Sequence, residues 1–283
     1  MNYRTISAKL IRETVKKLFL DCNYYIGSDI TSALESAVKT ERSEVGRSVL
    51  AQLLENNKIA AEENIPICQD TGMAVIFVEY GDKVVIEDGD FSSAVEQGVI
   101  DAYQEGYLRK SVVSDPVFDR INTKNNAPAV VHTQIVPGDK IRFLAGGKGF
   151  GSENMSAVKM LSPSAGVEGV KQFILDCVRH AGPNPCPPIV VGVGIGGTFE
   201  KAAQLAKKAT FRSIDSDNPD PRYASMEKEL LADINKMGFG PAGLGGTTTA
   251  LAVNIETYPT HIAGMPVAVN MCCHAARHAC AEI

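Results

Sequence analysis

The cysteines are the residues of this chain whose side chains most clearly suggest a chemical role. Its 283 residues include Cys22, Cys68, Cys177, Cys186, Cys272, Cys273 and Cys280. An odd number of cysteines in a chain too long to need cross-links argues against a disulfide framework. In a reducing compartment each cysteine is a buried apolar residue, a redox group or a metal ligand, and burial is the default. The neighbours of each cysteine therefore decide between these roles.

Cys68 lies in the segment ICQDTGMAVIF, where polar residues precede a predicted strand. Gln69, Asp70 and Thr71 follow it in a turn, and Gly72 permits unusual backbone angles. The segment thus displays reactive side chains where a strand begins. A capped turn with a buried cysteine accounts for the same residues equally well.

Cys186 stands between prolines in NPCPP, immediately before a very apolar predicted strand. Prolines stiffen the chain and remove backbone donors, and a cysteine followed by proline is a common setting for an iron–sulfur thiolate. Taken alone, this context suggests a cluster ligand without establishing one.

Gly192, Gly194 and Gly197, further along, spell G-x-G-x-x-G between a predicted strand and a predicted helix. That pattern is typical of dinucleotide sites, and Asp215 lies at a suitable distance for a ribose contact. However, Thr198 and the helix follow the third glycine at once, and Asp215 falls in a polar loop. An NAD-dependent oxidoreductase is therefore the less favoured alternative.

Cys272 and Cys273 end an apolar predicted strand and are followed by His274, Arg277 and His278. Buried cysteines at a helix start would account for Cys272 and Cys280 but leave the imidazoles and the guanidinium without a role. No C-x-x-C or H-x-x-x-H pair has a second pair to match, which argues against zinc, whereas cysteines far apart in sequence can ligate an iron–sulfur cluster. These residues alone leave burial and cluster ligation open.

A glycine-rich segment, GGKGFGSEN, precedes a predicted helix whose N-cap is Ser152. Backbone N–H groups at such a helix start bind a carboxylate or a phosphate, and Lys148 adds positive charge. The order of lysine and glycines does not fit G-x-x-x-x-G-K-[ST], so an ATP-binding loop is not expected.

Hydrophobic periodicity predicts helices through most of the first sixty residues and a mixture of elements afterwards. The later strands are predicted at 74–79, 130–136, 141–145, 189–193 and 251–255. The later helices are predicted at 92–108, 167–180, 199–209 and 223–236. Because strands and helices mix without strict alternation, we expect an α/β or α+β fold whose strand order the sequence does not fix.

Composition and charge exclude several partners. The chain is 45% hydrophobic and 22% charged, with a formal net charge of -5, so phosphate backbones and anionic membranes have no general attraction for it. No uninterrupted apolar run reaches the roughly 18 residues of a membrane span. We therefore expect a cytoplasmic protein with no nucleic-acid or membrane partner.

The motifs taken together carry a family resemblance. ICQDTGMAVIF, GGKGFGSENMSA, NPCPPIVVGVGIGGTFEKAA, GPAGLGGTTTALAVNIETYPTHIAG and CCHAARH resemble the alpha subunit, or N-terminal half, of the class I fumarases and L-tartrate dehydratases. The resemblance implies one alpha-type catalytic domain over residues 1–283. Within it, a helical part of about 1–65 would precede a mixed α/β part of about 66–283 around a cluster-binding cleft.

The resemblance also implies the ligands of a [4Fe-4S] cluster in which one iron has no protein ligand. By motif these are Cys68, Cys186 and Cys273. Cys273 is preferred to its neighbour Cys272 because it keeps the family's spacing to the histidine.

The same resemblance implies the substrate site. Gln69 and Asp70 would face the substrate, Arg109 would contact a substrate carboxylate, and Gly149 and Gly151 would line the pocket. His261 would lie beside the bound acid. Asp70 and His261 would then be the candidates for catalytic proton transfer, or for orienting the base.

The expected function is that of a hydro-lyase iron–sulfur subunit acting on fumarate and malate or on tartrate and oxaloacetate. The resemblance further implies a separate beta subunit, in an α2β2 assembly, that completes the active site. A non-catalytic iron–sulfur binding module is the remaining alternative.

Overall fold

The computed structural model describes residues 3–283, so the first two residues of the predicted helical part lie outside it. The described chain divides into two compact units. The first unit comprises residues 3–26, Asn57–Gly149 and Arg277–Ile283. The second unit comprises Gly27–Asn56 and Phe150–Ala276.

Helices and strands alternate irregularly along the described residues. The helices are α1 (Ala8–Tyr24), α2 (Ser28–Thr40), α3 (Glu44–Glu63), α4 (Phe91–Glu105), α5 (Phe150–Glu153), α6 (Gly166–Ala181), α7 (Phe199–Ala209) and α8 (Pro221–Lys236). The strands are β1 (Arg4–Ser7), β2 (Met73–Gly81), β3 (Val84–Glu87), β4 (Val130–Val136), β5 (Ile141–Lys148), β6 (Ala157–Leu161), β7 (Ile189–Gly196), β8 (Ala250–Tyr258), β9 (Met265–Cys272) and β10 (Ala279–Glu282). This mixture confirms the predicted α/β class.

The first unit is built on a four-stranded sheet in the order β10-β5-β2-β4. Helix α1 begins after Ser7, whose hydroxyl accepts the N–H of Leu10. Its residues Ile11, Val15 and Phe19 recur at helical spacing and are fully buried. They form one apolar core with residues of α4, β2 and β5. This core fixes the start of β2, which directly follows the segment containing Cys68.

The second unit is built on a sheet in the order β6-β9-β7-β8, with β7 and β8 parallel. Helices α7 and α8 lie in the connection between these two strands, as a parallel pair requires. Helices α6 and α8 share one apolar core with β7, β8 and β9, while α7 packs separately on alanines. Because both faces of the sheet are covered, β7 is buried along almost its whole length.

The glycines of the G-x-G-x-x-G pattern serve helix packing. A Cβ on Gly192 would lie 2.2 Å from the carbonyl oxygen of Ala206, and one on Gly194 would lie 2.1 Å from that of Ala202. Both glycines therefore let α7 approach the strand closely. Gly192 lies within β7 and not at a tight turn, which disfavours a dinucleotide loop.

One local prediction was wrong, and one alternative interpretation of the last residues does not hold. Ser152 is not an N-cap, because α5 runs from Phe150 to Glu153 and includes it, and Lys148 is buried on β5. The segment after β9 does not start a helix. Its last residues instead form β10, which pairs with β5 and is held by that ladder.

Candidate functional site

The turn that carries Cys68 belongs to the first unit and precedes β2. The Asp70 N–H donates to the Cys68 sulfur at 3.4 Å, and the Cys68 thiol donates to the side-chain oxygen of Gln69 at 3.4 Å. Asp70 Oδ1 in turn accepts the N–H of Gly72 at 3.1 Å, where φ is +77°. The turn thus presents a half-buried sulfur, an exposed amide and a half-buried carboxylate side by side.

Buried side chains brace this turn. Thr71 is buried; its hydroxyl accepts the N–H of Arg109 at 3.0 Å and donates to the Arg109 carbonyl at 3.3 Å. The Gly72 carbonyl accepts from the Tyr103 hydroxyl at 2.8 Å and from Asn126 Nδ2 at 3.1 Å. The Arg109 backbone is therefore fixed beside the turn, while Arg109 as a residue remains exposed.

Gly149 leaves space beside the Asp70 carboxylate. A Cβ on Gly149 would lie 3.1 Å from Asp70 Oδ2, closer than most real Cβ contacts. Gly151 is exposed in α5 of the second unit, and the nearest atom to a Cβ there would be the Asn184 carbonyl oxygen at 3.9 Å.

Cys186 and Cys273 lie near one another in the second unit. Cys186 is exposed, with φ of +56°, and its N–H donates to the Pro183 carbonyl at 3.1 Å. The N–H of His274 donates to the Cys186 carbonyl at 3.3 Å, so the residue after Cys273 is bonded to the Cys186 backbone. A non-glycine residue with this backbone conformation is uncommon and concentrates at functional sites.

His261 lies in an exposed turn after β8, where its Nδ1 accepts the N–H of Ala263 at 3.1 Å. A ring nitrogen that accepts a hydrogen bond carries no proton, so the neutral imidazole bears its proton on Nε2. His261 is thereby set to donate from Nε2.

The other four cysteines differ from these three in position. Burial raises the pKa of Cys22 to about 12 and that of Cys177 to about 11. Desolvation also raises the pKa of Cys280 on β10, and Cys272 is buried at the end of β9. All four lie in helices or strands, whereas Cys68, Cys186 and Cys273 lie on loops.

The three loop cysteines suit thiolate ligation, because none of them forms a disulfide within residues 3–283 and none is fully buried. Within residues 3–283, no group of three or more His, Cys, Asp or Glu side chains is close enough to hold a single metal ion. Of the predicted site residues, Gln69, Asp70, Arg109 and Gly149 accompany Cys68 in the first unit. Gly151 and His261 accompany Cys186 and Cys273 in the second unit.

Arg277 was left without a role by the sequence, although it stands in the same CCHAARH motif as Cys273. It belongs to the first unit and is 3% exposed. Its Nη2 donates to the Asp70 carbonyl, and its Nε donates to the Gly147 carbonyl at 3.3 Å. The structure thus adds a buried cation to the Cys68 turn.

A turn-borne thiol with an adjacent acid and amide, on an α/β scaffold, matches a known class. The chain belongs to the fumarate hydratase (Fumerase) family, whose model matches residues 12–282. This finding confirms the resemblance and the predicted hydro-lyase class.

Similar proteins carry more particular names. The putative L(+)-tartrate dehydratase subunit alpha of Methanocaldococcus jannaschii is 42% identical, covering 96% of this chain and 97% of that protein. The L(+)-tartrate dehydratase subunit alpha of Escherichia coli strain UTI89 is 36% identical, covering 88% of this chain and 82% of that protein. The protein of that name from strain K12 is 34% identical over the same shares.

Proposed function

We propose that this chain is the iron–sulfur subunit of a hydro-lyase for a small dicarboxylic acid, with a [4Fe-4S] cluster held by Cys68, Cys186 and Cys273. The observation that carries the proposal is the division of the seven thiols. Three lie on loops and are at least partly accessible, and four lie in helices or strands. The three on loops are those that the family motifs assign to the cluster.

The burial of two of the remaining cysteines supports this division. Iron is ligated by a thiolate and not by a thiol. Because burial raises the pKa of Cys22 and Cys177 to about 12 and about 11, both remain protonated at neutral pH. They are structural residues of the two cores.

A cluster gripped at three corners would supply one iron without a protein ligand, a Lewis acid for the hydroxyl and carboxylate of the substrate. The chain's own residues bind and orient that substrate. Gln69 offers an amide beside Cys68, and Arg109 offers a guanidinium whose backbone is fixed by Thr71. A cation beside the substrate carboxylate stabilises the negative charge that develops when the neighbouring carbon loses its proton.

Asp70 and His261 are proposed to handle protons. Asp70 has one carboxylate oxygen tied to the Gly72 N–H and the other beside Gly149. Neutral His261 presents the Nε2 proton, because Nδ1 accepts from Ala263. His261 is therefore proposed to donate a hydrogen bond or a proton, and Asp70 to accept one.

The relatives' names support a choice of substrate and partner. L(+)-tartrate is the first candidate substrate, because the similar chains are named as L(+)-tartrate dehydratase subunits. Fumarate is the second, because the family's description names it. The words "subunit alpha" support a separate beta subunit, for which we propose an α2β2 assembly.

We also propose that the protein works in the cytoplasm. None of the seven cysteines forms a disulfide within residues 3–283, as is usual in a reducing compartment. Over residues 3–283, the helices lack the combination of length and apolarity that crossing a bilayer requires.

Anaerobic reconstitution of the full chain with iron and sulfide tests the ligand set. We expect about four irons per chain and a visible absorption band. Cys68→Ser, Cys186→Ser and Cys273→Ser should each lose most of the iron, while Cys177→Ser, the matched control, should retain it. Equal tolerance of all four substitutions would refute the ligand assignment.

The reconstituted chain combined with its partner subunit tests the reaction. Dehydration of L(+)-tartrate or hydration of fumarate, absent without the partner, is the expected result. An intact cluster with no turnover on either acid would favour a non-catalytic iron–sulfur module instead.

A further inference from the structure

Arg277 is a buried cation, only 3% exposed. Its Nε donates to the carbonyl oxygen of Gly147, and its Nη2 donates to the carbonyl oxygen of Asp70. Its Nη1 is buried and has no hydrogen-bond partner among residues 3–283. Burying a guanidinium is costly unless it is paired with an anion. The position of Arg277 therefore needs a reason beyond packing.

Asp70 links Arg277 to the Cys68 sulfur. Arg277 donates to the carbonyl of Asp70, and the N–H of Asp70 donates to Cys68 Sγ at 3.4 Å. A Cβ on Gly149 would lie 3.1 Å from Asp70 Oδ2 and 3.8 Å from Arg277 Nη2. The guanidinium and the Asp70 carboxylate therefore both lie against Gly149, where a larger side chain would crowd them.

Gly147 explains how the guanidinium comes so close to the turn. A Cβ there would lie 2.3 Å from the Thr71 carbonyl oxygen and 3.6 Å from Arg277 Nε. Any larger residue at this point of β5 would push the turn away from the strand. The strand end, the turn and the guanidinium are thus packed as one piece.

We infer that Arg277 is a positioning residue of the cluster site. It fixes Asp70, and through the Asp70 N–H it fixes the Cys68 sulfur. Its charge offsets the negative charge that a thiolate and a dicarboxylate bring to the turn. This inference rests on the proposed function, which assigns Cys68 to the cluster.

The expected effects follow from the known behaviour of residues that contact a metal ligand without binding the metal themselves. Residues that orient a metal ligand typically change metal affinity or activity by about 10- to 100-fold when they are removed. Hydrogen bonds and charges near cluster sulfurs also set the reduction potential of the cluster. Loss of a nearby positive charge disfavours the reduced cluster and makes its midpoint potential more negative.

Three variants of the full chain separate charge from hydrogen bonding. Arg277→Lys keeps the charge, Arg277→Gln keeps a neutral donor, and Arg277→Met keeps neither. Arg142→Gln is the matched control, because Arg142 is a surface residue on β5, paired with Glu282. After anaerobic reconstitution, the rate of iron loss to a chelator and the midpoint potential of the cluster are measured, together with thermal unfolding of each cluster-free chain.

For Arg277→Gln we expect iron loss at least about tenfold faster than in the wild type and a more negative midpoint potential. Arg277→Lys should keep a potential near that of the wild type, and Arg142→Gln should be unchanged in both. If Arg277→Met does not fold, the Lys and Gln variants decide the question.

Arg277→Gln with wild-type iron loss and potential would overturn the inference, as would equal shifts of potential in the Gln and Lys variants. Either result, with a cluster in the wild type, leaves the proposed function standing. A wild-type chain that takes up no cluster would instead overturn the proposed function itself.

Discussion

The turn that carries Cys68 and the loop that carries Cys186 are held in place by different kinds of hydrogen bond. The Cys68 turn is held from several sides by buried side chains, among them Thr71, Tyr103 and Asn126. The Cys186 loop is held by backbone hydrogen bonds. The Cys186 N–H donates to the Pro183 carbonyl, and the Cys186 carbonyl accepts the N–H of His274. Several side chains therefore support the Cys68 turn. The position of the Cys186 loop depends instead on the segments to which its backbone is hydrogen-bonded.

A buried carboxylate in the second unit helps to hold one of these segments, together with the Asn235 side chain, which accepts the N–H groups of Thr249 and Ala250. The N–H of Ala242 donates to the Pro187 carbonyl at 2.8 Å, which ties the Cys186 loop to the segment before β8. Glu41, 2% exposed, accepts the N–H groups of Thr247 and Thr248 and so holds the other end of that segment. The comparison predicts that acid weakens the Cys186 support more than the Cys68 support.

The largest expected effect is that of Glu41→Gln. Although burial acts to raise it, backbone N–H donors from Ser43, Thr247 and Thr248 lower the pKa of Glu41 to about 2. An amide cannot accept all of these bonds and carries no charge. We expect a loss of about 3 kcal/mol in the free energy of unfolding at pH 7, measured by urea denaturation, against little change for the exposed Glu44→Gln.

The same residue gives a pH dependence with a definite sign. A carboxyl whose pKa is lower in the folded than in the unfolded chain stabilises the fold above its unfolded pKa. The contribution of Glu41 should therefore be complete above about pH 5 and fade as the pH falls toward 2. A wild type and a Glu41→Gln variant that lose stability in parallel over this range would contradict the assignment.

The next largest effect is expected for Asn126→Ala in the first unit. Asn126 is fully buried; its side chain accepts the N–H groups of Ser111 and Val112 and donates to the Gly72 carbonyl. Leaving these groups unpaired should cost about 2 to 3 kcal/mol, with no dependence on pH between 3 and 7. The exposed Asn122→Ala serves as the control, and a similar loss in both variants would count against the bracing role.

The smallest effect is expected for Tyr103→Phe. This change removes the hydroxyl that donates to the Gly72 carbonyl at 2.8 Å, but Asn126 still donates to the same oxygen. A loss of about 1 kcal/mol in the free energy of unfolding is expected, against none for Tyr107→Phe at an exposed position. A larger loss of unfolding free energy than for Asn126→Ala would mean that Tyr103, and not Asn126, contributes more to holding the turn.

Periodic segments of the fold were predictable because their own side chains determine them. Helix α7 and strand β4 have the predicted bounds, since each is limited by turn residues and a clear apolar pattern. Strands β1 and β10 were missed, because each has four residues and exists through its pairing with a distant strand. Short segments carry too little pattern to reveal such partners.

The candidate site was predictable as a set of motifs but not as an arrangement. Cys68, Gln69 and Asp70 were recognisable because they are consecutive. The contact of Arg277 with Asp70 joins residues 207 positions apart, and no local pattern reports such a distance. The tautomer of His261 likewise depends on a turn geometry that the letters HIAG do not specify.

Strand β4 has one further consequence, for handling the isolated chain. It ends its sheet, and Val130, Val131 and Ile135 on it are exposed. An apolar strand at the edge of a sheet is a preferred place for pairing with another extended chain and so favours aggregation. We therefore expect that a charged residue in place of the exposed Ile135 would raise the concentration at which the isolated chain stays dispersed.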